Sequence, residues 1–173
     1  MEARGLFFDG QLMNQTIRKF FLLLPLCLLS VAVSAETVYQ TYVNKRYGYV
    51  IDYPDYLLPQ GEAANGDGQV FLSANDDAEL RVYARACIEG WDTTASTFLA
   101  RAEKEKNKVG GQVSYRAKGK SFAVISGTVG NKIFYDKLLT DGNWCSIFHW
   151  TYAIAGKARY DDATKRIAAS FKP

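Results

Sequence analysis

Between Glu79 and Ile88 apolar and polar side chains alternate without a break. Leu80, Val82, Ala84, Ala86 and Ile88 fall on one side, and Glu79, Arg81, Tyr83, Arg85 and Cys87 on the other. A period of two belongs to a strand with one face buried. Farther along, Gln112 to Lys118, Ser121 to Val129, Lys132 to Thr140 and Trp144 to Ile154 are extended segments rich in Val, Ile, Phe, Tyr and Trp, side chains that suit a pleated surface. Gly119-Lys120, Gly130-Asn131 and Asp141-Gly142 join them, and such pairs favour tight hairpins, so these segments predict an antiparallel meander. Thr37 to Val43, Tyr49 to Tyr53 and Gln69 to Ser73 predict three more strands, the middle one stopped by Pro54, which has no N–H to offer a sheet.

The period lengthens twice. From Thr94 to Lys106, Ala95, Phe98, Leu99 and Ala102 fall on one stripe of a helix, with Asp92 or Thr93 as its cap and Gly110-Gly111 at its end. From Arg159 to Phe171, Tyr160, Ala163, Ile167 and Phe171 form a second stripe. Each stripe needs a sheet face to cover. The order of strands and helices predicts an α+β fold, an antiparallel sheet flanked by two helices.

A third pattern opens the chain. Arg18 and Lys19 precede an almost purely apolar run from Phe20 to Val33, and Val33-Ser34-Ala35 supplies the small residues that a signal peptidase requires. The run is about fourteen residues, short of the roughly twenty that a spanning helix needs. Residues 13–35 therefore read as a cleavable signal peptide, cut between Ala35 and Glu36, with 1–12 as a mis-assigned start or an expression remnant. Residues 36–173 then form a single domain, exported to a periplasm or secreted, with no membrane span after processing.

The net charge of +3, from 21 Lys and Arg against 18 Asp and Glu well mixed along the chain, gives no electrostatic argument for nucleic acid. Two cysteines follow position 35, Cys87 and Cys145. An oxidising compartment joins them if their Cα atoms lie within about 7 Å. Spacing alone leaves a disulfide and two separate thiols both open.

Four runs resemble the PsbP-like domains: Tyr47-Gly48-Tyr49-Val50-Ile51-Asp52-Tyr53-Pro54, Asn65-Gly66-Asp67-Gly68-Gln69-Val70-Phe71, Ile133-Phe134-Tyr135 and Arg166-Ile167-Ala168-Ala169-Ser170-Phe171. That family includes the extrinsic protein of photosystem II, a nuclear Ran-binding group and bacterial exported proteins of unknown role. The resemblance implies an antiparallel sheet between helices and a protein that docks onto other proteins, with no shared active site.

Candidate chemistry is sparse. Asn65-Gly66-Asp67-Gly68 has Asn, Asp and Gly in the order of a calcium loop, but Ala63 and Ala74 stand where its first and last carboxylates belong, so a turn is expected and no metal. Cys145 and His149 would sit about 13 Å apart on one strand face, beyond proton-transfer reach. His149 is the single histidine. A triad would need Ser73, Ser126 or Asp136 brought to it by the fold, and a single histidine with two distant cysteines argues against zinc. No catalytic, cofactor-binding or metal-binding set is expected. All eleven tyrosines lie after residue 35; Tyr47, Tyr49, Tyr53 and Tyr56 crowd one strand and are the candidate partner surface, because Tyr brings large contact area with a polar tip. The expected function is a non-enzymatic accessory or binding protein docking onto another envelope or secreted protein. A glycan-binding module using exposed aromatics and a small hydrolase relying on His149 are the alternatives.

Overall fold

The computed structural model describes residues 36–173; the signal-peptide reading of 13–35, its cut after Ala35 and the reading of 1–12 lie outside the described residues. Nine strands and two helices follow in the order β1 (Tyr39–Val43), β2 (Val50–Pro54), β3 (Leu57–Glu62), β4 (Gly68–Ser73), β5 (Ala78–Ala86), α1 (Ala95–Lys108), β6 (Gln112–Lys118), β7 (Phe122–Val129), β8 (Lys132–Thr140), β9 (Trp144–Ala153) and α2 (Lys157–Ser170). One turn of 3-10 helix, Ile154–Gly156, leads into α2. Strands β3-β4-β5-β9-β8-β7-β6 form one antiparallel sheet, and β1 and β2 pair apart from it as a hairpin. The architecture is the expected α+β one, with two differences.

The first difference is β3, which the hydrophobic pattern does not announce. Its Leu-Leu-Pro-Gln-Gly-Glu sequence buries only Leu57. As the edge strand it tolerates Pro59, since one side of its backbone has no partner to satisfy, and its register shifts between Pro59 and Glu62. The second is the separate β1–β2 hairpin, which lies over the main sheet beside α2.

The two faces of the sheet are covered differently. On one, α2 and the β1–β2 hairpin enclose Tyr49, Ile51, Phe71, Leu80, Phe148 and Trp150, all fully buried. On the other, α1 sets Phe98 and Ala102 against Ala123, Ile125, Phe134, Leu138 and Ile147. β5 thus serves both: Leu80 and Val82 point toward α2, while Tyr83 joins the α1 side partly buried. Gly127 of β7 is required by this packing, because a Cβ there would lie 2.0 Å from the Gln112 carbonyl oxygen of β6.

Thr94, not Asp92 or Thr93, caps α1. Its hydroxyl accepts the Thr97 N–H in a capping box, and Gly110 at φ +75° ends the helix. Asp92 is buried instead, where it accepts the Ile88 N–H at 2.7 Å and pairs with Arg85. Helix α1 packs on β6, β7 and β8, and among the described residues no helix covers the β3–β4–β5 half of its sheet face. Leu58, 53% exposed, and the half-buried Val70 and Leu72 lie there beside Arg81 and Tyr83.

Candidate functional site

Cys87 and Cys145 form a disulfide, Cα atoms 5.1 Å apart, tying the segment after β5 to the start of β9. Among the described residues, Cys87, Cys145 and Asp92 are the one cluster with three potential metal ligands in reach of one another. Both sulfurs are spent in the disulfide, which leaves no thiolate to bind a metal. The Asn65–Gly68 segment is the turn between β3 and β4. Gly66 adopts φ +67° there, and the Ala63 N–H bonds the Gly68 carbonyl at 2.9 Å.

The candidate tyrosine surface does not form as expected. Tyr49 is fully buried and Tyr53 is 7% exposed. Tyr49, just before β2, and Ile51 and Tyr53 within it occupy alternate positions, all on the side facing α2 and the main sheet, so the period of two sends them into the core. Tyr56 is half-buried with its hydroxyl shielded and unpartnered, and burial pushes that hydroxyl well up. Only Tyr47 reaches a surface groove.

That groove is a cavity of about 640 Å³ at the end of β8 and β9, lined among others by Arg46, Tyr47, Ser121, Asp141, Trp144 and Ser146. Trp144 is 53% exposed and its ring lies 5.4 Å from that of Tyr47, inclined by 59°. Both walls are fixed from behind. Asn44 is fully buried; its side-chain oxygen accepts the N–H groups of Arg46 and Tyr47 at 3.1 and 2.8 Å, while its amide donates to the Gly66 carbonyl. Gly48 at φ +78° closes that turn. Opposite, Asp141 accepts from the N–H groups of Asn143 and Trp144 at 2.8 and 2.7 Å, which holds its carboxyl below the usual range.

A second arrangement joins residues far apart in sequence. Asp136 on β8 stands directly opposite His149 on β9. Its carboxylate, 1% exposed, lies 3.0 Å from His149 Nδ1 and 2.9 Å from the Lys106 ammonium of α1. On the other side of the imidazole, the Tyr83 hydroxyl is 3.3 Å from Nε2. Burial pushes the Asp136 carboxyl up, but His149 and Lys106 outweigh it and hold the carboxyl below its ordinary value. Burial raises the Tyr83 hydroxyl, which makes it a poor nucleophile. Ser73 and Ser126 are engaged elsewhere, Ser73 with Asp77 and Ser126 with the Phe134 carbonyl. Cys145, bonded to Cys87, offers no nucleophile.

A signal for this pair is present in the sequence. A turn at Asp141-Gly142-Asn143 pairs residues counted outward from it, Thr140 with Cys145, then Leu138 with Ile147, then Asp136 with His149. Lys106 could not be found so, because its contact depends on where α1 lands.

The architecture matches that of a solved structure, cyanobacterial PsbP (CyanoP) from Synechocystis sp. PCC 6803. The two superpose with a TM-score of 0.59 over 82% of this chain and 95% of that one, at 16% identity. The fold is PsbP-like. LpqN of Mycobacterium tuberculosis, described as involved in cell envelope biogenesis, aligns over 80% of this chain and 92% of its own with a TM-score of 0.49 and 12% identity. No protein-family model matches the chain, and no curated protein matches it. In this PsbP-like domain the resemblance carried by the four sequence runs is therefore one of fold. Those runs map to β2 and the turn before it, to the β3–β4 turn with β4, to β8 and to the end of α2. They build the scaffold and, through Tyr47, one wall of the groove. Among the described residues no helix is long and apolar enough to cross a membrane.

Proposed function

We propose that the protein is an exported, non-enzymatic accessory protein that docks onto another envelope or secreted protein through the uncovered half of its main sheet. The observation that carries this reading is the bare β3–β4–β5 face. Leu58, Val70 and Leu72 form an apolar row on it, flanked by Arg81, Tyr83 and His149. An apolar centre with a polar margin is the composition of a recognition surface. Export is supported by the signal-like run before Glu36 and by the disulfide, which suits an oxidising compartment. The non-enzymatic part is supported by the state of the His149 cluster, whose Tyr83 is raised and whose Asp136 is already neutralised by Lys106.

The test is a photo-reactive residue in place of Leu58 in the tagged protein, expressed in its native host. The same residue in place of Val109, exposed at the end of α1, is the control. One discrete protein adduct is expected from position 58 and not from position 109, and Val70→Asp should abolish it. Adducts equal from both positions, or none from 58, would end the reading.

A further inference from the structure

We infer that the groove lined by the contacting rings of Tyr47 and Trp144 is a carbohydrate site that takes a neutral pyranose with equatorial substituents, such as a β-linked glucosyl or N-acetylglucosaminyl unit. This goes beyond the docking reading and is independent of it, since the groove and the bare sheet face share no residue.

Three observations carry it. The first is the aromatic platform. Trp144 leaves about half its surface to solvent in a domain whose other β9 aromatics, Phe148, Trp150 and Tyr152, are buried. An indole face is electron-rich and apolar, and the C–H face of an equatorial pyranose is apolar and weakly positive, so the two stack. Tyr47, its centroid 5.4 Å from that of the indole and inclined by 59°, packs against Trp144 and holds the platform in place.

The second is the set of polar groups around the platform. Ser121 and Ser146 bring hydroxyls that both donate and accept, and Asp141 brings a carboxylate. Sugar hydroxyls are also donors and acceptors at once, so this mixture suits them better than it suits an apolar peptide. Asp141 engages Oδ1 with the backbone of its turn, leaving Oδ2 to accept from a ligand hydroxyl. Arg46, whose guanidinium lies 5.1 Å over the Tyr47 ring and donates to the Asn65 carbonyl, sets a positive charge against that of Asp141, so the lining side chains carry no net charge that would favour an ionic sugar.

The third is preorganisation. Buried Asn44 fixes the Tyr47 wall and the Asp141 turn fixes the Trp144 wall, so little ordering remains to be done on binding. The volume of about 640 Å³ falls in the roughly 300–1,000 Å³ of small-ligand sites.

The test titrates the protein with cellohexaose and with chitohexaose, following the Trp144 indole N–H by NMR and the heat by calorimetry. We expect at least one of the two to bind with the Trp144 signal among the most displaced. Trp144→Ala should weaken binding at least tenfold and Tyr47→Ala several-fold, while Trp91→Ala, which removes a comparably exposed tryptophan elsewhere, should leave it unchanged. The displaced Trp144 signal in the intact protein keeps the test decisive even if a variant folds poorly. Binding of neither hexasaccharide, or binding that leaves the Trp144 signal unmoved, would overturn the assignment.

Discussion

The two faces of one sheet solve the same problem by different means. Toward α2 the core is large and aromatic: Tyr49, Phe71, Phe148, Trp150, Tyr152, Tyr160 and Phe171 meet edge-on and tilted, as in the 5.7 Å contact of Trp150 with Tyr160. Toward α1 the buried side chains are fewer and smaller, and a disulfide and a buried ion cluster lie among them. Apolar burial scales with the area removed from water, so the α2 face draws its stability from packing. The α1 face depends more on cross-links.

Trp150→Ala should separate the two faces most sharply. Trp150 is fully buried and its indole N–H donates to Thr164 at 2.8 Å. Its loss leaves a cavity and takes away the hydrogen bond that the Thr164 hydroxyl accepts, its donation to the Tyr160 carbonyl remaining, for an expected cost of about 4–5 kcal/mol. Urea unfolding followed by circular dichroism reads this directly; a cost under about 2 kcal/mol would mean the α2 face is not packed as described.

Cys87→Ala with Cys145→Ala should come next, through the α1 side. The disulfide spans 58 residues, including all of α1 and the β6–β7–β8 meander, and a loop of that size contributes about 3–4 kcal/mol by restricting the unfolded chain. We expect the double variant to lose that much in urea and the oxidised wild type to lose the same on adding a reductant. If reduction shifts the wild-type midpoint and leaves the double variant unmoved, the bond is the cause.

Much of this contrast was legible in the sequence, and the gaps have physical causes. The period of two in β5 and the glycine turns of the meander place those strands within a residue or two, because side-chain alternation and positive-φ turns are local properties. The disulfide was not decidable, since Cys87 and Cys145 are brought together by a β5–β9 pairing that spans the intervening helix and three strands. β3 was missed because an edge strand with Pro59 and Gly61 need not alternate. The groove was half visible. Tyr47 was singled out, but with Tyr49 and Tyr53, whose alternate spacing into β2 puts them inward, while Trp144 read as one more strand aromatic until the end of the sheet showed it uncovered.

Asp136→Asn should cost less than the disulfide and behave differently with pH. Removing one partner of a buried ion pair typically costs 3–5 kcal/mol; here Lys106 and His149 both reach solvent, at 22% and 33% exposure, so about 2–3 kcal/mol is expected near neutral pH. The Asp136 carboxyl is held below its ordinary value of 3.8 in the folded protein. Its contribution is therefore fully present above that value and is lost as the pH falls through the lower, folded one. The stability gap between wild type and Asp136→Asn should begin to narrow below about pH 4 and go on narrowing as the pH falls further. A gap that stays constant down to pH 2 would show that the carboxylate charge is not what stabilises this face.

The smallest expected effect is on the half of the α1-side face that no helix among the described residues covers. Leu58 already has 53% of its surface in water on edge strand β3, so Leu58→Ser removes little buried area and should change stability by no more than about 0.5 kcal/mol. On the proposed docking reading, a partner completes the burial of this exposed side chain, which stands in a row with Val70 and Leu72. The same variant should lose the adduct predicted for the sheet face while unfolding at the wild-type urea midpoint. A clear destabilisation would mean that Leu58 belongs to the core after all, and the contrast between the covered and uncovered halves of that face would fail.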